Sequence, residues 1–250
     1  MNFTYIIPFK YTDDRFLTLQ KVLENIKDLN SEIIVIEQGQ ESILPSKNLT
    51  YNFKYIFLSN LLPFNKSWSL NIAWKEAQND IIVFGDADNL IDTNILLESI
   101  KLIGEYEFVS PHRRLIDLEI SENNLPLEDI FKIQRVGRGE TDHQKLPMCG
   151  AMTIFKKEAL ERIGGWPEEF FGWGAEDDAM SIKVKHFLKW IELEQNNCYH
   201  LFHQRVVPDM QWYHRNIQIY QNYLRVTKEK LDEYIQQIRP TIGDKNRRFQ

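Results

Sequence analysis

Residues 81–88 read Ile-Ile-Val-Phe-Gly-Asp-Ala-Asp. Ile81 to Phe84 is a continuous apolar run closed by Gly85, the pattern of a strand buried on both faces. Toward the N-terminus, Leu70, Ala73, Trp74 and Ala77 recur at helical spacing. Tyr55 to Leu58 and Ile33 to Ile36 are further apolar runs, the latter stopped by Gln38-Gly39. Phe16, Leu19, Val22, Leu23 and Ile26 mark another helix, with Thr12, Asp13 or Asp14 available as its cap. Tyr5-Ile6-Ile7 reads as a strand that ends at Pro8. This alternation predicts an α/β fold, a mostly parallel central sheet flanked by helices on both faces.

The rhythm breaks after about residue 105. Val136-Gly137-Arg138-Gly139-Glu140 and the polar residues after it read as a loop. Ala151 to Phe155 is a predicted strand, and Lys156 to Ile163 a short helix ended by Gly164-Gly165. A helix is expected from Glu176 to Trp190, and a further helical pattern over 216–238 carries Ile219, Tyr223 and Val226. The basic tail Lys245 to Arg248 is expected to be solvated. There are no repeats, low-complexity segments or clear linkers, so residues 1–250 read as one domain.

The chain has 250 residues, 43% of them hydrophobic, enough for a large core. Its net charge of -6 argues against a general nucleic-acid binder. Six Trp and ten Tyr suit either a carbohydrate site or a large core. Cys149 and Cys198 give no disulfide framework and read as two reduced thiols. No apolar stretch approaches the ~18 residues of a membrane span. The N-terminus enters a strand without a basic leader. The expectation is a cytoplasmic protein, or the catalytic fragment of something larger, with peripheral docking at the inner membrane face left open.

Two acidic clusters carry the chemistry. Asp86 and Asp88 lie just past a sheet strand, where open α/β sheets bind ligands. If strand geometry continues, residues two apart point the same way and both carboxylates can hold a divalent cation beside diphosphate oxygens. The other reading is a turn, because Gly-Asp-x-Asp-Asn is good loop chemistry. The second cluster is Phe170-Phe171-Gly172-Trp173-Gly174-Ala175-Glu176-Asp177-Asp178. Its small residues let the backbone approach a ligand. Trp173 is left with little cover, and an indole face suits the C–H face of a sugar. The three acids fit either a catalytic base or a helix start favoured by the dipole. Together the clusters suggest an enzyme that moves a sugar from a nucleotide to a hydroxyl. His200 and His203 are three residues apart and read either as structural or as ligands for a transition metal.

The motifs, in order, resemble the β-1,4-galactosyltransferase group and its bacterial relatives in glycosyltransferase family 2. The matching pieces are Ile6-Ile7-Pro8-Phe9-Lys10, Val35-Ile36-Glu37-Gln38, Phe64-Asn65-Lys66 with Asn71, Asp86-Ala87-Asp88, Gly150-Ala151, and Gly164-Gly165-Trp166-Pro167 through Asp178. The resemblance implies a GT-A fold, a Mn²⁺ cofactor (Mg²⁺ the second candidate) and inversion at the anomeric carbon. It implies a nucleotide-sugar half over about 1–105, an acceptor and catalytic half over about 106–215, and a helical tail over about 216–250. Pro8, Phe9 and Lys10 match the uridine and phosphate segment, where relatives often carry Arg in place of Lys10. Arg15 is the candidate to supply that fork. Phe64 and Asn65 match a nucleotide-contacting segment, and Gly150 a glycine of the donor side. Asp88 and His203 match metal ligands, and Asp86 the first acid of the metal motif. His200 stands where the galactosyltransferases place a methionine ligand, which hardens the ligand set. Trp173 matches the ring beneath the acceptor sugar. Glu176 and Asp177 match the acceptor-binding pair, with Asp177 as the base. Met148 stands where a bulky Tyr restricts room beside the donor C2, so an N-acetylated donor such as UDP-GalNAc fits.

The resulting expectation is an inverting, metal-dependent glycosyltransferase that uses a UDP-sugar and a glycan or lipid-linked saccharide acceptor. Bacterial resemblance points to capsule or lipopolysaccharide synthesis. The segment 136–147 is a candidate lid over the donor. The alternatives are a carbohydrate-binding or inactive subunit of a polysaccharide synthase and, third, a nucleotidyltransferase.

Overall fold

A computed structural model describes residues 1–138, 146–148, 150–204 and 207–247. In chain order the elements are β1 (Phe3–Phe9), α1 (Asp13–Ile26), β2 (Ser31–Gly39), β3 (Lys54–Ser59), α2 (Lys66–Lys75), β4 (Ile81–Gly85), β5 (Asn89–Leu90), α3 (Thr93–Lys101), β6 (Phe108–Ser110), β7 (Arg114–Asp117), α4 (Leu127–Ile130), β8 (Met152–Lys156), α5 (Lys157–Arg162), α6 (Glu176–Phe187), β9 (Trp190–Glu192), β10 (Asn197–His200), α7 (Met210–Arg225) and α8 (Lys228–Ile238).

Seven strands form the main sheet in the order β3-β2-β1-β4-β8-β6-β9. The β3-β2-β1-β4 half is parallel, whereas β8 runs antiparallel to both β4 and β6. Both faces are covered, which explains the unbroken apolar runs. Along β1, Phe3, Tyr5, Ile7 and Phe9 face one cluster with α1 and α3. Ile6 faces the other, with residues of α2, α5 and α6. On α1 the buried stripe is Leu19, Val22, Leu23 and Ile26, each contributing about 1.5–3 kcal/mol. Thr12 caps this helix by accepting from the Arg15 backbone N–H. A second, three-stranded sheet, β5-β10-β7, stands beside the first. None of the described helices is long and apolar enough to cross a membrane.

Three expectations are corrected. β1 runs through Pro8 to Phe9, because its pairing with β4 has ended at Ile6–Phe84 and Pro8 lies beyond that ladder. The helix from Glu176 stops at Phe187, and Trp190 instead pairs with Phe108 in the sheet. The pattern over 216–238 is two helices, broken where Val226 is extended and Thr227 caps α8. In the basic tail Lys245 and Asn246 are exposed, as expected, while Lys245 also pairs with Glu76 and Arg247 with Glu168. Cys198 is a buried free thiol. Cys149 and most of the candidate lid, residues 139–145, lie outside the described residues.

Candidate active site

β4 carries the chain to the end of the sheet, where a turn follows, closed by the Asn89 N–H donating to the Asp86 carbonyl. Strand geometry therefore does not continue through Asp86-Ala87-Asp88. Asp88 goes toward the small sheet. There β5 pairs with β10, Asn89 opposite His200, and the Leu201 N–H donates to the Asp88 carbonyl. One carboxylate oxygen of Asp88 and one ring nitrogen each of His200 and His203 lie within 4.8 Å of one another. The nearest contact is His203 Nε2 to Asp88 Oδ2, 3.2 Å. His203 Nδ1 is 3.1 Å from the Gln204 carbonyl, which can only accept. With the ring hydrogen on Nδ1, Nε2 and the carboxylate are two acceptors face to face. Such a pair calls for a proton or a cation between them. Oxygen and imidazole donors in this set suit Mn²⁺. Burial works against charge on Asp88, but the His203 hydrogen bond and the Arg15 and His200 charges outweigh it and hold the carboxyl at about 2.

Asp86 pairs with Lys66, with Nζ 3.0 Å from Oδ1. The same ammonium lies 3.4 Å from Asp177 Oδ1. A single lysine thus joins the two acidic clusters. Desolvation opposes its charge, but Asp177, Asp86 and Glu176 together raise its pKa. Burial lifts Asp86 to about 6 against the pull of Lys66. Burial and the Asp177 charge push Glu176 up to about 7. Asn89 Nδ2 spans the turn, 3.0 Å from Asp88 Oδ1 and 3.5 Å from Asp86 Oδ2.

The second cluster folds as expected around a bare indole. Gly172, Gly174 and Ala175 all have positive φ, at 70°, 113° and 70°. Trp173 is 66% exposed and stacks on Tyr213 of α7, ring centroids 5.6 Å apart. Asn216 of the same helix donates to the Phe171 and Trp173 carbonyls and fixes the loop. α6 begins at Glu176, and its cap position is Ala175, which has no side-chain acceptor to offer. Gly150 (φ +84) comes close to the base candidate: a Cβ there would sit 3.1 Å from Asp177 Oδ2.

Pro8 and Phe9 are buried in β1, and Lys10 is exposed just past its end. Arg15 lies 3.4 Å from Asp88 Oδ2. Phe64 is half-buried, and its carbonyl accepts from the Gly172 N–H. Asn65 is buried as the cap of α2, its Oδ1 bound to the Trp68 N–H and its Nδ2 to the Glu168 carbonyl. Met148 is buried. His112 is buried too, which lowers its pKa to about 4. Three residues that sequence reasoning left without a role enter the site: Lys66, Tyr213 and Asp117, whose Oδ1 is 3.0 Å from His200 Nδ1.

Residues 6–164 match the family model described as Glycosyl transferase family 2. Residues 143–204 match one described as N-terminal domain of galactosyltransferase. The chain is 25% identical over 146 residues to Beta-1,4-galactosyltransferase 5 of Danio rerio, covering 57% of this chain and 32% of that protein. It thus spans about a third of that relative's length. Among solved structures, S. aureus TarS 1-349 superposes with a TM-score of 0.58 at 16% identity, over 95% of this chain and 70% of that one. Drosophila β-1,4-galactosyltransferase 7, in a mutant complex with manganese, UDP-Gal and xylobiose, gives 0.50 at 14%, over 84% and 78%. At these identities the likeness concerns the fold, the GT-A arrangement expected from the sequence.

Proposed function

The chain belongs to glycosyl transferase family 2, and from that premise we propose that it moves a hexose or N-acetylhexosamine of the galactose or GalNAc type from a UDP-sugar to a glycan hydroxyl, with inversion. The observation that carries this reading is the ion-paired strip from Asp177 through Lys66 to Asp86, which links the Trp173 loop to the Asp88–His200–His203 group.

The acceptor sugar lies against the exposed Trp173 face, which α7 holds through Tyr213 and Asn216. Burial and the Asp177 charge raise the Glu176 pKa to about 7, which favours the protonated form that can donate a hydrogen bond to an acceptor hydroxyl. Asp177 accepts the proton of the attacking hydroxyl as its oxygen bonds to the anomeric carbon. The bond from that carbon to the UDP oxygen breaks on the opposite face, so one displacement inverts the centre. Lys66 fixes Asp177 against Asp86 and keeps the base in place. Positive charge for the diphosphate is assigned to Arg15, 3.4 Å from Asp88, and to Lys10, exposed just past β1. Mn²⁺ held by Asp88, His200 and His203 would neutralise charge on the departing diphosphate. A growing polysaccharide or a lipid-linked saccharide is the acceptor class proposed.

Calorimetric titration of UDP with Mn²⁺ and then EDTA tests the assignment. Asp88→Ala is expected to abolish the Mn²⁺-dependent part of UDP binding. Undiminished Mn²⁺-dependent affinity in that variant would remove the metal site from the account.

A further inference from the structure

β7 and β10 run parallel with Asp117 directly opposite His200, so the backbone register itself sets the two side by side. Asp117 Oδ1 lies 3.0 Å from His200 Nδ1. An ionised carboxylate only accepts, so the ring hydrogen belongs on Nδ1 and the Nε2 lone pair is left for another partner. The same Oδ1 receives Arg138 Nη2 at 2.8 Å. Arg138 is held in turn by two backbone hydrogen bonds with Leu115 of β7. Asp117, His200 and His203 also line one cleft, with Leu118, Phe202 and Gln204. Asp117 is half-buried and lies outside the group of three ligand candidates.

We propose that Asp117 is a positioning residue of the cation site: it fixes the His200 tautomer and ring orientation, so that His200 presents Nε2 to a divalent cation shared with Asp88 and His203. This rests on the metal reading given above. Carboxylates behind metal-bound imidazoles orient the ring and raise its basicity, and losing one typically costs ~10–100-fold in metal affinity. The competing account is a plain surface ion pair between Asp117 and Arg138, worth about 0–1 kcal/mol and silent toward metal.

The test is a titration of Mn²⁺ alone, followed by electron paramagnetic resonance of the free ion, on the full chain. Asp117→Ala is expected to weaken Mn²⁺ binding ~10–100-fold while the metal-free melting temperature stays close to that of the unaltered chain. Asp117→Asn keeps an acceptor for Nδ1–H and should recover most of the affinity. If the alanine variant fails to fold, Asp117→Ser, whose shorter side chain does not reach Nδ1, takes its place with the same expected loss. In a His200→Ala background, removing Asp117 should change nothing further. Equal Mn²⁺ affinity in Asp117→Ala and the unaltered chain would overturn the proposal and leave the metal reading standing. So would the same loss with and without His200. No Mn²⁺ binding by the unaltered chain would overturn both.

Discussion

Lys66 sits in the first turn of α2, where the helix dipole disfavours a cation. A local rule broken there signals that something else compensates, and Asp86 and Asp177 are that compensation. This signal was legible in Phe64-Asn65-Lys66 had the cap been placed at Asn65. The pairing of Asp117 with His200 was not legible, because only the β7–β10 register brings these distant residues together. Two outcomes are expected at these residues. Asp177→Asn keeps the shape but loses the base, so kcat should fall ~10²–10⁴-fold with UDP affinity retained. Near-normal turnover would move the base elsewhere. The second concerns pH. Glu176 is raised from 4.5 to about 7, so between those values the folded chain holds a proton that the unfolded chain has released. Its favourable contribution is present at low pH and is lost as pH rises through that window. In the metal-free protein, Glu176→Gln should therefore flatten the fall in melting temperature between about pH 5 and 7.5. Some slope will remain, because Asp86 is raised in the same direction, to about 6. An unaltered slope would show that Glu176 carries no such proton.

Elements of the parallel half were readable because strands buried on both faces become unbroken apolar runs, as in Ile33–Ile36 and Ile81–Phe84. Boundaries were missed where an apolar residue serves two periods at once. Trp190 continues the helical spacing of α6 yet pairs with Phe108 in the sheet. Val226 continues α7 yet is already extended. The Asp86-Ala87-Asp88 spacing suggested parallel carboxylates, but the turn sends one to Lys66 and the other to His203. The start of α6 offers a test at this scale. Ala175 sits at φ 70°, a left-handed position that costs a non-glycine residue about 1 kcal/mol. Ala175→Gly should gain about that amount in urea unfolding. A loss of stability would mean that packing of the Ala175 methyl, beside the Phe170 and Tyr223 cluster, outweighs backbone strain.

Across the whole molecule, the C-terminal segment closes a network around Glu168. Arg247 and the Gly243 N–H bind its carboxylate, and Asn71 Nδ2 bridges it to the Trp166 carbonyl. The Glu168 carbonyl accepts from Asn65, the cap of the helix that bears Lys66. The tail therefore braces both the loop leading to Trp173 and the lysine that joins the acidic clusters. Arg247→Ala leaves a buried carboxylate short of its cation and should cost about 1–3 kcal/mol by denaturant midpoint. A change within experimental error would show the Arg247–Glu168 pair to be dispensable. The central claim, metal-dependent transfer from a UDP-sugar, is tested most directly by assaying UDP release from a panel of UDP-sugars without acceptor, with Mn²⁺ and then with EDTA. The account predicts slow release from a galactose-type or GalNAc-type donor that EDTA abolishes. Absence of both release and Mn²⁺-dependent UDP binding across the panel would contradict it and leave a carbohydrate-binding subunit in its place.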